Sequence, residues 1–157
     1  AEQVRETVNF AVPEDNGMNY IDRVETDWAF RIQLPIGTNV PFHCTASGKC
    51  FLSSLKKREI NGILSSIKLE AITEKTHVTP EGLMQELNQI KKQGYALDRE
   101  EFMEGMIAIA VPIKDKEDRF VGALAFHGPT QRISIENAVA RKEILISASQ
   151  KLREHLF

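Results

Sequence analysis

The chain has 157 residues, 42% of them hydrophobic and 27% charged, with a formal net charge of -2, which is one domain's worth of sequence with enough apolar material for a real core. That balance offers no basic field for gripping a phosphate backbone, so DNA binding by this stretch alone is not expected. No apolar run approaches the roughly 18 residues of a membrane helix, the N-terminus AEQVRETVNF lacks a signal-peptide layout, and a cytoplasmic protein is expected.

Val8, Phe10 and Val12 alternate with polar or small residues, Asp15-Asn16-Gly17 supplies turn chemistry, and an extended pattern resumes from Tyr20 to Val24. These runs predict a hairpin. Phe30, Ile32 and Leu34 continue the alternation as a third strand, ended by Pro35 and Gly37. After Pro41 the spacing becomes helical: Cys50, Phe51 and Leu55 cluster first, then Ile60, Ile63, Leu64 and Ile67, which predicts two short helices.

Thr79-Pro80-Glu81 provides an N-cap, a first-turn proline and an acid at the positive helix end; Leu83, Leu87 and Ile90 share one face and Gly94 ends the run. A short strand, Tyr95 to Leu97, follows, with Asp98 at its end. Residues 106–113 and 119–128 form a second hairpin around the charged turn Lys114 to Asp118, and a final helix runs from near Ser134 with Ala138, Leu145, Ala148 and Leu152 on one side. The pattern is that of an α+β domain, helices lying on a mostly antiparallel sheet.

Three local features invite chemistry. Gly48-Lys49 imitates the end of a P-loop, but the earlier Gly is missing and Cys50 stands where Ser or Thr is required, so nucleotide binding is set aside. Cys44 and Cys50 fit no C-x-x-C pair and read as buried thiols; a zinc site from His43, Cys44 and a distant His such as His127 is the sharper alternative. Glu100, Glu101 and Glu104, and the run from Lys114 to Glu117, read as solvated turns.

Strand parity splits the second hairpin unevenly. Ile107, Ile109, Val111 and Ile113 share a face, as do Phe120, Leu124 and Phe126 with Gly122; the other face carries Met106, Ala108, Ala110 and Pro112 beside Val121, Ala123, Ala125 and His127. The bulky face fills a core. The small face either lets a helix pack closely or leaves room for a ligand, with Asp98 placed to take a ligand hydroxyl.

Taken together, YIDRVET (20–26), LPIGTNVPFHCTASGK (34–49), QGYALDREEFMEG (93–105), the Ala-Val-Pro-Ile of 110–113 and the Gly-Pro of 128–129 closely resemble the effector-binding domain of IclR-type bacterial transcription regulators. The resemblance implies a GAF-like fold with a pocket for a small carboxylate, no cofactor, a homodimer or tetramer, and a separate N-terminal winged helix-turn-helix domain that carries DNA binding. Residues 1–157 would then be a single effector-binding domain of a repressor or activator, without that N-terminal domain. Carried over by position, the resemblance implies ligand contacts at Ala46 and Ser47, whose amides open a helix, at Asp98, and at Ala108, Ala125 and His127.

The chain departs from its relatives in placing Met106-Ile107-Ala108 where Arg then Cys or Ser is common, and Ala125 and His127 where Ser is common. Methyl groups and one imidazole thus replace hydroxyl donors. A ligand with a carboxylate at the helix end and a larger apolar or aromatic body is expected, the imidazole donating to the carboxylate. Two other readings compete: a ligand-free structural dimerisation domain, and a Cys44-dependent methionine sulfoxide reductase, for which a thiol at a helix start would need a lowered pKa.

Overall fold

A computed structural model describes residues 7–24, 37 and 39–156. The expected third strand at Phe30 to Leu34 lies outside these residues. Six antiparallel strands, β1 (Thr7–Pro13), β2 (Met18–Val24), β3 (Asn39–Val40), β4 (Ala96–Arg99), β5 (Met106–Lys114) and β6 (Phe120–Pro129), form one curled sheet in the order β3-β2-β1-β6-β5-β4. The first hairpin closes through the Glu14 amide, which donates to the Gly17 carbonyl at 2.8 Å.

Helices cover both faces. On one lie α1 (Ala46–Ser53), α2 (Lys57–Ser66) and α3 (Pro80–Gln93); on the other lie α4 (Ile135–Ala140) and α5 (Lys142–Leu156). The expected continuous last helix is therefore two, divided at Arg141, which caps α4 with φ -98° and ψ 6°. The α3 signals act as expected: the Thr79 hydroxyl accepts from the Gly82 amide, and Gly94 ends the helix at φ +85°.

The small and bulky faces each found their own core. Ala108, Ala110, Ala123 and Ala125 pack with Tyr20, Phe42, Leu52 and Cys50 beneath α1, while Ile107, Ile109, Val111, Ile113, Leu124 and Phe126 pack with Ala138 and Leu145 of α4 and α5. Methyl side chains bring α1 down onto the strands. Burying each large apolar side chain contributes roughly 1.5–3 kcal/mol.

Phe120 departs from the parity expectation. The β5–β6 register shifts between Ile113 and Lys114, so Lys114 pairs with Phe120 rather than Val121. One residue of slip moves a side chain to the opposite face. Phe120 accordingly stacks on Phe51 of α1, ring centroids 5.4 Å apart.

Candidate functional site

The floor is one row of the sheet. Asp98 on β4 pairs with Ala108 on β5, Ala108 with His127 on β6, and His127 with Thr7 on β1. Directly paired residues share a face. Asp98 and His127 therefore point toward α1 from either side of a methyl group, two strand spacings or about 10 Å apart. The adjacent row brings Ala96, Ala110, Ala125 and Asn9 to the same face.

Above this floor stands the first turn of α1. Thr45 caps it, its hydroxyl accepting from the Gly48 amide at 3.0 Å and donating to the Pro41 carbonyl at 2.7 Å. The Ala46 and Ser47 amides, one and two residues into the helix, have no helical acceptor. Gly48 is required for another reason: a Cβ there would stand 2.5 Å from the Phe42 carbonyl oxygen.

His127 is buried, and both ring nitrogens are engaged: Asn9 Nδ2 lies 2.8 Å from Nδ1 and the Tyr20 hydroxyl 3.1 Å from Nε2. The imidazole the sequence offers as a direct ligand donor is thus held by two protein groups. Burial lowers its pKa to about 4, so it is neutral at pH 7. Asn9 and Tyr20 escaped the sequence reading, although the alternation of the first hairpin already placed Asn9 opposite Val8 and Phe10.

Asp98 is 1% exposed. Its Oδ1 accepts from the Glu101 amide at 2.7 Å. Desolvation outweighs that hydrogen bond and raises the carboxyl to about pKa 7, with the Glu101 charge adding to the rise and Lys49 opposing it. Tyr20 is pushed well above the usual phenol range, first by burial and then by the Asp98 charge. A hydrogen-bonding interaction with the Ser47 hydroxyl acts on the same phenol in the opposite sense; it falls short of full hydrogen-bond geometry, so the buried Ser47 Oγ is left only partly satisfied.

All six expected contact positions converge here: Ala46 and Ser47 above, Asp98, Ala108 and His127 in one row, Ala125 in the next, each at most 6% exposed. The site is closed, with α1 packed over Ala110, Ala123 and Ala125. A separate open cavity of about 780 Å³, lined by Ile72, Thr73, Lys75, Glu100, Phe102 and Met103, touches none of the six.

Lys49 and Glu101 together overturn one sequence expectation. Lys49, fully buried, donates to the Leu97 carbonyl at 2.6 Å, to Glu101 at 2.8 and 2.9 Å, and to Glu86 of α3. Glu101 is therefore no solvated turn residue. Glu100 adopts φ +61°, reversing the chain after β4, and Glu101 beside it reaches back to the ammonium. His77 Nε2 meets the other oxygen of Glu86 at 2.6 Å. Among the described residues, His77, Glu86 and Glu101 are the group close enough to share a metal, and the Lys49 ammonium bonds both carboxylates there. His43 Nε2 faces the Glu70 carbonyl at 2.9 Å, and among the described residues His43, Cys44 and His127 do not come together as a metal-ligating group.

Burial raises the Cys44 and Cys50 thiols to about 12, with Asp98 adding to the rise at Cys44. A thiol held protonated is a poor nucleophile, which removes the physical basis for the reductase reading. Among the described residues no helix is long and apolar enough to cross a membrane.

A curled antiparallel sheet with helices on both faces, and a buried polar cluster between its central strands and a helix start, define a GAF-like domain. The chain belongs to the IclR family: residues 1–154 match the family model described as bacterial transcriptional regulator IclR C-terminal. It is 34% identical over 149 residues to the acetate operon repressor of Salmonella typhimurium, covering 94% of this chain and 54% of that protein. The IclR structure of Thermotoga maritima superposes with a TM-score of 0.91 at 28% identity, over 99% of this chain and 63% of that one. An inducer-binding domain of the Acinetobacter transcription factor PobR, a double mutant in complex with 3-hydroxybenzoic acid, superposes at 0.89 with 23% identity, over 97% and 89%. The chain spans about half the length of the repressor it matches. Its relatives are named as transcription regulators and not as enzymes.

Proposed function

We propose that this domain senses a small carboxylate metabolite, bound between the first turn of α1 and the row Asp98, Ala108, His127, and that binding alters the geometry of a homodimer or tetramer and hence the spacing of DNA-binding domains carried elsewhere in the regulator. The observation that carries the reading is the Ser47 hydroxyl, buried beside two helix-start amides and short of a full hydrogen bond even to the Tyr20 phenol it acts on. Buried polar groups are normally satisfied, and a helix start favours an anion. A carboxylate oxygen supplies the missing acceptor.

Ala108 and Ala125 supply an apolar floor for the body of the ligand, and Asp98 takes a polar substituent. The 3-hydroxybenzoic acid complex of PobR is an instance of the same fold holding an aromatic acid. An effector acts only through unequal affinity for the two oligomer arrangements. A structural dimerisation domain is the second reading, favoured by the burial of all six positions under α1.

A thermal-shift screen of the purified chain against glyoxylate, pyruvate, benzoate and 3-hydroxybenzoate separates the two. A ligand at 100 times its Kd adds about 2.7 kcal/mol of stability. The expected result is a selective rise with an aromatic acid, lost in Ser47→Ala. Response to the two- and three-carbon acids alone removes the argument for an apolar body, and silence with all four favours the structural domain.

A further inference from the structure

We propose that Tyr20 is the specificity-determining donor of this site, its hydroxyl proton aimed at an acid ligand by the Asn9–His127 pair behind it. The inference rests on the effector reading above and adds a residue and a direction to it. Asn9 presents its amide nitrogen to His127 Nδ1 at 2.8 Å. With the Asn9 amide turned nitrogen-first to the ring and its Oδ1 buried without a partner, Nδ1 is the lone-pair nitrogen, and the neutral ring carries its hydrogen on Nε2. Nε2 lies 3.1 Å from the Tyr20 oxygen, which is therefore the acceptor.

A phenol oxygen that accepts from one side directs its own hydrogen elsewhere. Tyr20 starts on β2, opposite Ala11, and its hydroxyl reaches the region where Asp98 and Cys44 act on it electrostatically and where Ser47 sits. Its ring lies 5.8 Å from the imidazole, centroid to centroid, so packing as well as the hydrogen bond fixes its position. The Ser47 hydroxyl beside it interacts with this phenol without completing a hydrogen bond, so neither hydroxyl is fully satisfied by the other. Two hydroxyls and the first-turn amides of α1 thus meet as neutral donors. The buried cation among the described residues, Lys49, is committed to Glu86, Glu101 and the Leu97 carbonyl. Among the described residues, recognition of a carboxylate at this site falls to hydroxyl and amide hydrogens, in which a single tyrosine weighs heavily.

Tyr20→Phe keeps the ring and removes only the oxygen. In the 157-residue chain, calorimetric titration with glyoxylate, pyruvate, benzoate and 3-hydroxybenzoate is expected to show the best-bound acid weakened by about 10- to 100-fold, as for a hydrogen bond to a charged group. The unliganded melting temperature should fall by a few degrees, because the buried His127 Nε2–H loses its acceptor, so affinity and not stability is the deciding readout. Nitrogen-15 shifts of His127 should report hydrogen on Nε2 in wild type, and Asn9→Leu should release that preference and weaken the same acid. Unchanged acid affinity in Tyr20→Phe overturns the proposal and leaves the effector reading standing, as does a His127 ring protonated on Nδ1. If none of the four acids binds wild type, the effector reading fails and the role of Tyr20 falls with it.

Discussion

Asp98 and His127 occupy one cross-strand row, each paired with its neighbour across Ala108, and their ionisation is displaced in opposite directions by the same burial. The carboxyl rises from 3.8 to about 7 and the imidazole falls from 6.5 to about 4. Both are therefore largely uncharged across most of the interval between 4 and 7. The floor of the site proposed for an organic anion is thus kept close to neutral.

The two groups make opposite contributions to stability against pH. The folded state holds the extra proton at Asp98 between about 4 and 7, so its contribution declines as pH rises through that window. At His127 the unfolded chain holds the extra proton, so stability is lost as pH falls from 6.5 toward 4. In wild type the slopes oppose. Asp98→Asn should expose the histidine slope, a loss relative to wild type of roughly 3 kcal/mol between pH 6.5 and 4, and His127→Gln should show the reverse trend. Urea denaturation at several pH values measures both; identical pH profiles for the two variants would sink the assignment.

Lys49 tests the buried ion cluster. Removing the ammonium leaves Glu101, 3% exposed, without its cation. Lys49→Met should cost about 3–5 kcal/mol, because an uncompensated buried charge is far worse than an apolar pair. Adding Glu101→Gln should recover part of the loss. A single variant within 1 kcal/mol of wild type, in the same denaturation assay, would mean that the cluster rearranges freely.

How much of this was legible follows from how local each signal is. The faces of the second hairpin could be read by counting because β5 and β6 keep register from Met106 to Ile113; Phe120 escaped because the bulge that turns it over leaves no mark in the alternation. Asp98 announced itself as a polar residue beside a short apolar strand, although β4 runs on through it to Arg99. Asn9 and Tyr20 did not, since their partner His127 lies 118 and 107 residues away and only the pairing of β1 with β6 brings them together. Lys49 looked like a failed phosphate loop because Glu86 and Glu101 are 37 and 52 residues distant.

Gly48 tests the seating of α1. A Cβ would meet the Phe42 carbonyl oxygen, the Phe42 Cα and the Thr45 hydroxyl at 2.5 to 2.6 Å, and two of these are backbone. The helix start has to move away from the floor. Gly48→Ala should destabilise by about 1–3 kcal/mol, in spite of alanine's better helix propensity, and should weaken acid binding beyond its effect on stability. Thermal melts with and without 3-hydroxybenzoate measure both; a variant more stable than wild type would show that the helix start tolerates the shift.

Acid binding should itself be linked to protons. Asp98 titrates at about 7 beneath a site proposed for a carboxylate, already pushed up by burial and by Glu101 and held down by Lys49. Bringing a second negative charge close raises it further, so at pH above 7 the complex takes up a proton that the free domain lacks. Affinity for benzoate or 3-hydroxybenzoate, both ionised throughout, should fall as pH rises from 7 to 9, by up to about tenfold per pH unit. In Asp98→Asn the dependence should vanish. Titration calorimetry in two buffers of different ionisation enthalpy counts the protons directly, and equal affinity at pH 6 and pH 9 in wild type would place the carboxylate away from Asp98.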